Sequence, residues 1–377
     1  TPARQDGHQP IIHMQCGPIR YQVDAKAQAE KRPFNHAVIP KFTSFAQPLT
    51  DEVPWKITDA YAAMQINEER NERIITDVLS AVAEGRTPIV LTERYDHAKL
   101  LAEMLRGKDE KVVLLSGKGS VKEKREILQE LSKIPPEESL ILVATGRYVG
   151  EGFDLPRLDT LFLAMPVSWK GTLAQYAGRL HRNYEGKQEV LIYDYVDIRV
   201  PMLERMYHKR LSGYAAIGYT VRGDKTAPAS ENRIFTQEEY WQVFSEDIRN
   251  AQKAILITSP YLHIAQVKRI LNLIPENIHF TVVASNESDF KPEVWEKVIK
   301  AVKLLEENGA TVILQPKVYQ RYVVIDKSTL WYGGINFLGF EKAAHGVMRL
   351  CSAELARQLT NRAYDDTYGA QMTLQGY

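Results

Sequence analysis

Cysteine is almost absent from this sequence of 377 residues, which has only Cys16 and Cys351. Neither has a partner at metal-ligand spacing, so a disulfide-stapled secreted fold and a cysteine-based zinc site are excluded. No apolar run approaches the roughly 20 residues that a membrane span needs, and the N-terminus does not have the form of a signal peptide. We therefore expect a soluble, cytoplasmic protein with no metal site and no membrane partner.

An excess of charge of either sign is also lacking, since 48 Lys and Arg residues against 47 Asp and Glu give a formal net charge of +1. This excludes a strongly basic coat for nucleic acid but allows local basic patches, because net charge reports only the sum. With 44% hydrophobic residues the composition is that of a globular protein, and the length suffices for two or three domains.

Helical patterns alternate with short apolar segments from about residue 65 to 200, which is typical of a parallel sheet covered by helices. Residues 222–232 are polar and contain glycine and proline, so they predict a linker. The pattern after the linker predicts a second α/β domain. Strands are predicted at Thr87–Thr92, Lys111–Leu115, Ser139–Thr145, Asp159–Met165, Glu189–Val196, Ala254–Thr258, Ile278–Val283, Thr311–Leu314, Tyr322–Ile325 and Thr329–Tyr332, and helices at about 68–84, 96–107, 120–131, 170–181 and 293–308.

Two motifs in the first α/β region carry chemistry. "ATGRYVGEGFDLP" (residues 144–156) leads from a strand into a glycine-rich loop with an acidic residue. "QYAGRLHR" (residues 175–182) sets Gln175, Arg179 and Arg182 at intervals of three and four, which places them on one helical face. Two arginines on one face can reach an anion together, and an arginine near a γ-phosphate supplies the charge stabilisation that phosphoryl transfer needs.

These motifs resemble those of the second RecA-like domain of superfamily 2 helicases, in the branch that includes DEAD/DEAH-type and type III restriction helicases. "GEGFDLP" is similar to motif V, "QYAGRLHR" to motif VI, and "PIVLTERYDHAKLLAEML" to motif IV. The resemblance implies that Gln175, Arg179 and Arg182 face ATP, with Arg182 favoured as the arginine finger. The alternative from the residues alone is a helix whose arginines form surface ion pairs.

The same resemblance implies how nucleotide and nucleic acid are coupled. Gly152 and Asp154 would lie at the ATP site and couple it to the nucleic acid, whose backbone Thr145 and Arg147 would contact. The implied cofactors are ATP and Mg²⁺, and the implied polymer is DNA, with RNA as the alternative.

The phosphate-binding loop G-x-x-x-x-G-K-[ST] of such enzymes is lacking, and so is their acidic magnesium motif. "SGKGS" (residues 116–120) comes near, but Val112 stands where that loop needs glycine and Gly119 where it needs Ser or Thr. "TPARQDG" (1–7) and "CGPIRYQV" (16–23) resemble the chain that follows motif III in restriction-type helicases. We therefore expect the C-terminal part of a longer helicase, inactive alone and without bound ATP or Mg²⁺, whose partner is a missing N-terminal RecA-like domain.

A third motif, "YQRYVVIDKSTLWYGGIN", lies at residues 319–336. It resembles the phospholipase D pattern H-x-K-x4-D-x6-G-[ST]-x-N, in which histidine attacks phosphorus. Tyr319 takes the histidine position and Arg321 the lysine position, whereas Asp326 and Asn336 match. "AILITSPYL" (254–262) and "MRLCSAELARQL" (348–359) also resemble phospholipase D-like domains attached to helicases.

The substitutions decide the chemistry expected at this motif. Tyrosine has a pKa near 10 and is mostly protonated at neutral pH, so Tyr319 is a poor replacement for histidine. Arg321 retains phosphate-binding capacity, and we expect Asp326 to hold it by an ion pair. We favour a non-hydrolytic role in DNA binding or assembly. The alternatives are a tyrosine-based nuclease and plain packing of Tyr319 and Arg321 at a sheet edge.

The predicted fold is thus α/β, with a RecA-like parallel sheet followed by a phospholipase D-like α/β domain. The predicted function is that of the C-terminal part of an ATP-dependent DNA helicase or translocase of restriction or defence type. Because phospholipase D-type sites need two motif copies, a homodimer through the second domain is predicted. The domains are predicted at 1–50 (end of a first RecA-like domain and linker), 51–222 (second RecA-like domain), 223–231 (linker) and 232–377 (phospholipase D-like domain).

Two further segments leave alternatives open. "MYHKRLSGY" (206–214) indicates either a DNA-contacting helix or a solvated basic helix. Trp331, Tyr332 and Phe337 indicate a base-stacking surface or, as strand alternation favours, core packing.

Overall fold

A computed structural model shows two seven-stranded sheets with a buried helix between them. It describes residues 14–15, 17, 20, 25–48, 55–108, 111–115, 127, 129, 131, 133–135, 138–146, 155–167, 170–222, 232–236, 239–339 and 346–374. In these ranges no helix is long and apolar enough to cross a membrane, and no group of three or more His, Cys, Asp or Glu side chains is placed to hold a metal ion.

The first sheet is parallel throughout, with the strand order β3-β4-β2-β5-β6-β1-β7. β2 and β5 are buried along their whole length, as expected for parallel strands covered on both faces. All five strands predicted in this region form within two residues of the predicted bounds. The strands are β1 (Asn35–Phe42), β2 (Pro88–Thr92), β3 (Val112–Leu115), β4 (Ile141–Thr145), β5 (Thr160–Leu163), β6 (Glu189–Val196) and β7 (Thr220–Val221), and the helices are α1 (Ala25–Glu30), α2 (Ile57–Ile66), α3 (Glu68–Ala83), α4 (Tyr95–Arg106), α5 (Lys170–Leu180) and α6 (Pro201–Ala216).

Strand β1 lies outside the range predicted for this domain. It pairs in parallel with β6 over eight residues, from Asn35 opposite Glu189 to Phe42 opposite Val196. Val38, in its middle, is fully buried. The first sheet therefore begins before residue 50, which corrects the predicted domain start at residue 51. The predicted linker 223–231 and most of the helix predicted at 120–131 lie outside the described residues.

The second sheet is mixed, with the order β11-β10-β9-β12-β13-β14-β8. β9, β10 and β11 are parallel, and the remaining pairs are antiparallel. Together the two sheets confirm the predicted fold class of two successive α/β units. The strands are β8 (Arg233–Phe235), β9 (Ala254–Ser259), β10 (His279–Ser285), β11 (Thr311–Gln315), β12 (Tyr322–Ile325), β13 (Thr329–Gly333) and β14 (Val347–Cys351), and the helices are α7 (Tyr240–Arg249), α8 (Ile264–Leu271), α9 (Pro292–Glu307) and α10 (Ala353–Leu374).

Helix α6 is fixed to the first sheet by a buried ion pair. The guanidinium of Arg210 donates to both carboxylate oxygens of Asp194 in β6, at 2.7 and 2.9 Å. The hydroxyl of Tyr214, one turn further on, donates to the same carboxylate at 2.8 Å. Arg210 also donates to the carbonyl of Val167 at 3.0 Å, so most of its donors are satisfied without water.

The opposite side of α6 contacts the second sheet. The hydroxyl of Tyr332 in β13 donates to Oε1 of Glu204 at 2.8 Å. The amide of Gly346 donates to the hydroxyl of Ser212 at 2.9 Å, and a Cβ on Gly346 would come within 2.9 Å of the Ser212 nitrogen. Only glycine allows this close approach of strand and helix. One hydrophobic core therefore includes buried side chains of both sheets.

Glu204 is an acid buried at this contact between the sheets. Burial raises its pKa to about 8, although the Tyr332 hydrogen bond and the positive charges of Arg321 and Arg205 act in the opposite direction. Nε2 of His208 lies 3.8 Å from Oε1 of Glu204. Glu204 is therefore largely protonated in the folded protein at neutral pH.

Replacing Asp194 by alanine should cost about 3–5 kcal/mol in the free energy of unfolding, because the buried Arg210 loses its counter-ion. The matched control is Glu354→Ala, which removes an exposed pair with Arg357 and should leave stability nearly unchanged. Chemical denaturation of both variants measures the difference. Equal stabilities would show that the Asp194 pair does not anchor α6.

A second prediction concerns pH. An unfolded Glu204 loses its proton near pH 4.5, whereas the folded protein keeps it up to about pH 8. Between these values the folded state binds the extra proton, so the free energy of unfolding contributed by Glu204 falls as pH rises. Denaturation at pH 5 and pH 8 should show this fall in the parent and in the exposed control Glu307→Gln. In Glu204→Gln the fall should be smaller, and an unchanged fall would contradict the assignment.

Candidate functional site

Of the predicted motif VI residues, Gln175 and Arg179 lie on helix α5, whereas Arg182 follows two residues after the helix ends at Leu180. The inner face of the helix is fixed by apolar contacts. Leu173, Ala177 and Leu180 are buried in the core, and this spacing of four and three residues defines the inner face of the helix. Gln175 is exposed on the other side of the helix, and Arg179 is half-buried. Arg182 is exposed just beyond the helix end, so the predicted placement of all three residues on one helical face is wrong for Arg182. The helix and its C-terminal end together offer one amide and two guanidinium groups, a set of donors suited to an anionic oxygen.

Tyr176 connects this helix to the start of the motif V segment. Its hydroxyl donates to Oε1 of Glu93 at 3.1 Å, and a Cβ on Gly146 would overlap the same hydroxyl. Gly146 directly follows Thr145, the half-buried last residue of β4. Motif VI and the exit from β4 are thus packed on one another. Neither Glu93 nor Tyr176 was singled out from the sequence, because neither belongs to a spaced motif of charged residues.

Several predicted positions lie outside the described residues. These are Arg147, Gly152 and Asp154 in the motif V loop and the "SGKGS" segment at 116–120. Their predicted roles stay predictions.

His181, inside motif VI, packs beneath the helix end. Its Nε2 lies 2.9 Å from the hydroxyl of Tyr219, and its ring makes an edge contact with His36 at 4.9 Å between centroids. Burial lowers the pKa of His181 to about 3, with the charge of Arg32 acting in the same direction. The imidazole is therefore neutral and structural.

The third motif is not one compact cluster. Tyr319 is half-buried and lines a cavity between the two sheets. Arg321 is also half-buried, and its charge acts on the buried Glu204 of α6. The end of the motif that carries Arg321 therefore faces helix α6 of the same chain.

Asp326 lies at the other end of β12, in the turn to β13. Its carboxylate accepts hydrogen bonds from the backbone amides of Gln252, Lys253 and Ala254, at 2.8, 2.7 and 3.0 Å. Burial raises the pKa of Asp326, but these three amides outweigh it and hold the pKa below its usual range. The expected ion pair between Asp326 and Arg321 is therefore wrong, because the length of a four-residue strand separates them.

Asn336 is buried and holds the end of β9. Its Oδ1 accepts from the hydroxyl of Ser259 at 2.5 Å, and its Nδ2 donates to the carbonyl of Tyr261 at 3.0 Å. Tyr261 lines the same cavity as Tyr319. Asn336 thus acts on the cavity by positioning its wall.

The two open questions on aromatic and basic segments are answered by burial. Trp331 and Tyr332 are fully buried and Phe337 is 2% exposed, so core packing is confirmed. In the segment 206–214, Tyr207, His208, Arg210, Leu211 and Tyr214 are buried in α6. The interpretation as a solvated helix is therefore wrong, because Asp194 neutralises Arg210 inside the protein. Contact of this helix with DNA stays a prediction.

Comparisons with known proteins agree with the helicase assignment. Residues 70–184 match the family described as helicase conserved C-terminal domain. "Probable helicase D10" of Escherichia phage T5 is 23% identical over 170 residues, which are 44% of this chain and 36% of that protein. "Transcript termination protein A18" of Fowlpox virus is 26% identical over 140 residues, which are 36% of this chain and 29% of that protein. The matches thus span about a third of the length of these relatives.

Among solved structures, T4 UvsW is similar with a TM-score of 0.40 and 18% identity, covering 49% of this chain and 40% of that chain. The family match lies in the first α/β unit of the prediction. The resemblance stated from motifs IV, V and VI is confirmed by this match of residues 70–184 to the helicase conserved C-terminal domain.

Proposed function

We propose that this chain is the C-terminal part of an ATP-dependent DNA helicase or translocase of restriction or defence type. The observation that carries the proposal is a set of donors at α5, with Gln175 exposed and Arg179 half-buried on the helix and Arg182 exposed just after its end. They lie inside a segment that matches the helicase C-terminal family. A surface arginine helix in an unrelated fold would carry no such context.

ATP fits this face by the chemistry of its donors. Planar guanidinium groups bind phosphate oxygens through two hydrogen bonds at once, and an amide adds a neutral donor. In the proposal Arg182 approaches the γ-phosphate, Arg179 and Gln175 hold neighbouring oxygens, and Gly152 and Asp154 lie at the same nucleotide. Bound ATP with Mg²⁺ supplies the free energy of phosphoryl transfer. The phosphate-binding loop G-x-x-x-x-G-K-[ST] would come from a further RecA-like domain, placed on the other side of the ATP-binding cleft.

DNA would lie along the carboxyl end of β4. Thr145 ends that strand half-buried, and Arg147 follows two residues later. Contacts of this type to the phosphate backbone bind without reading sequence. They would let the motif V segment couple the state of the bound nucleotide to contact with the nucleic acid.

The second domain is proposed to bind or position DNA without hydrolysing it. A tyrosine, Tyr319, stands where the phospholipase D pattern has its nucleophilic histidine. The charge of Arg321 acts on the buried Glu204, and Asp326 and Asn336 satisfy backbone and loop groups. These roles of the motif residues are structural or anion-binding, and they differ from the activation of a nucleophile that hydrolysis needs.

A homodimer through this domain is a further proposal. The side chain of Gln320, between Tyr319 and Arg321, donates to the carbonyl of Ile198 at 3.4 Å. A second copy would therefore have to pair through a face other than the one that α6 and its preceding loop cover. Light scattering at micromolar concentration tests this, and a monomer would refute it.

The ATP site is tested by Arg182→Gln in a polypeptide that joins this chain to its upstream RecA-like domain. Loss of an arginine finger should lower DNA-stimulated ATP hydrolysis about 10³-fold or more. Arg249→Gln, which changes an exposed arginine of α7, is the matched control and should hydrolyse ATP at the parent rate. Parent-like turnover in Arg182→Gln would refute the assignment.

The non-hydrolytic role is tested with plasmid DNA and a chromogenic phosphodiester. The chain should release no product above a buffer blank, because a protonated tyrosine is a poor nucleophile at neutral pH. Tyr319→Phe should give the same blank. Hydrolysis that disappears in Tyr319→Phe would instead establish a tyrosine-based phosphodiesterase.

A further inference from the structure

The cavity between the two sheets has the position of a ligand site in α/β proteins. Its volume is about 840 Å³, within the range of about 300–1,000 Å³ typical of small-molecule pockets. Tyr261 follows the end of β9, Ser285 ends β10, and Lys317 follows β11 by two residues. Three parallel strands thus end at the cavity, and the carboxyl ends of parallel strands are where open α/β sheets bind ligands.

The first sheet supplies the facing wall in the same way. Arg199 and Arg205 come from the segment that follows β6, and Trp55 lies beyond the end of β1. Ala46 bridges to Arg199, which brings these two segments of the first domain together at the cavity. The cavity is therefore built by both domains and does not exist in either alone.

The charges that line the cavity are mainly positive, although the whole chain is almost neutral. Arg199, Arg205 and Lys317 face it together with one acid, Asp289. The Asp289 carboxylate accepts a hydrogen bond from the backbone amide of Lys317 at 2.5 Å. This contact holds Lys317 in the left-handed backbone region, with φ at 59°. A non-glycine residue in that region is strained and persists where its surroundings impose it. Asp289 thus positions the lysine, and the net charge of the lining is positive.

Aromatic rings also line the cavity. Trp55 stands on one side, and Tyr261, Phe290 and Tyr319 stand on the other. Tyr261 and Phe290 make an edge contact with centroids 6.1 Å apart, and Phe290 stacks on Trp295 at 6.1 Å and 15°. The rings are therefore held in place before any ligand arrives. Cations beside ordered aromatic rings are the combination that binds a phosphate together with a stacked base.

From this geometry we infer that the cavity binds a nucleotide unit of single-stranded DNA, with its base among Trp55, Tyr261, Phe290 and Tyr319 and its phosphate at Arg199, Arg205 and Lys317. The inference rests on the proposed function and adds to it a binding site formed jointly by the two domains. It assigns Tyr319 to base stacking instead of nucleophilic attack. A strand held here would be gripped at a point separate from the exit of β4.

The test uses the whole chain, without ATP, and a short oligodeoxynucleotide that contains 2-aminopurine. Binding should quench the 2-aminopurine fluorescence, because the base stacks on aromatic rings. Arg205→Gln with Lys317→Gln removes two exposed cations and should weaken binding about tenfold or more. The slope of log affinity against log salt should fall by about 0.7 for each phosphate that the protein no longer neutralises. The matched control Lys300→Gln with Lys303→Gln, on the exposed side of α9, should bind as the parent does.

The stacking component is tested with Phe290→Leu and, separately, Trp55→Leu. Each should lower affinity about tenfold and restore part of the quenched fluorescence, with thermal unfolding as a check on folding. Affinities within twofold of the parent in the double lysine–arginine variant, or an undiminished quench in both aromatic variants, would overturn the inference.

Free dAMP separates a mononucleotide site from a strand site. The oligonucleotide should bind at least tenfold more tightly than dAMP. If dAMP binds and the oligonucleotide does not, the assignment to a DNA strand is overturned. Arg182→Gln should retain oligonucleotide binding in this assay. The two proposals are therefore tested independently. The rate of ATP hydrolysis tests the proposed function, and the fluorescence quench tests DNA binding in the cavity.

Discussion

The buried pair between Asp194 and Arg210 is the interaction on which the arrangement of the two domains depends. An ion pair without solvent gains little net stability over apolar packing, but breaking it leaves a charge in the core. Helix α6 therefore has one low-energy position against β6. Because the other side of the same helix contacts β13 and the residue just before β14, that position also sets where the second sheet lies. The cavity between the sheets takes its width from this one helix.

The two buried acids at α6, Asp194 and Glu204, offset the cost of burying a carboxyl group in different ways. Asp194 receives two hydrogen bonds from a guanidinium and one from a phenol, so its charge is compensated. Glu204 accepts a phenol hydrogen bond, and burial raises its pKa. The first contact orients the helix. The second favours a protonated, hydrogen-bonding acid between the domains.

How far the sequence predicts this structure depends on whether the signal is local. Apolar runs located β2, β4 and β6 within two residues, because a buried parallel strand needs little else. β1 was missed, since "NHAVIPKF" contains a proline and polar residues, of which His36 is buried. The basic segment in α6 was misinterpreted for a related reason. Arg210 and His208 indicate charge in the sequence, but the neutralising Asp194 lies 16 residues away from Arg210 in the chain. The candidate sites show the same division, because helical periodicity, which is a local property, placed Gln175 on the outer face of α5. The same periodicity failed for Arg182, since the helix ends at Leu180. Spacing failed for Asp326, since in a strand the residues of a motif are spread along its length.

The cavity was not predictable at all, because its walls come from segments that only the relative position of the two sheets brings together. These segments lie near residues 47–55, 199–205, 260–261, 285–290 and 317–319.

The phospholipase D-like pattern can be explained without a surviving catalytic site. Asp326 satisfies three backbone amides at the start of β9, and Asn336 joins Ser259 to the carbonyl of Tyr261 at its end. Removing either would leave buried or constrained groups unpaired, at about 1–3 kcal/mol for each group. The two positions that match the pattern, Asp326 and Asn336, are thus needed for the fold. The two positions that differ from it, Tyr319 and Arg321, are the ones at which hydrolysis would need a nucleophile and its phosphate contact. A match at Asp326 and Asn336 therefore identifies the architecture of this domain, whereas its function must be judged from what lines the cavity.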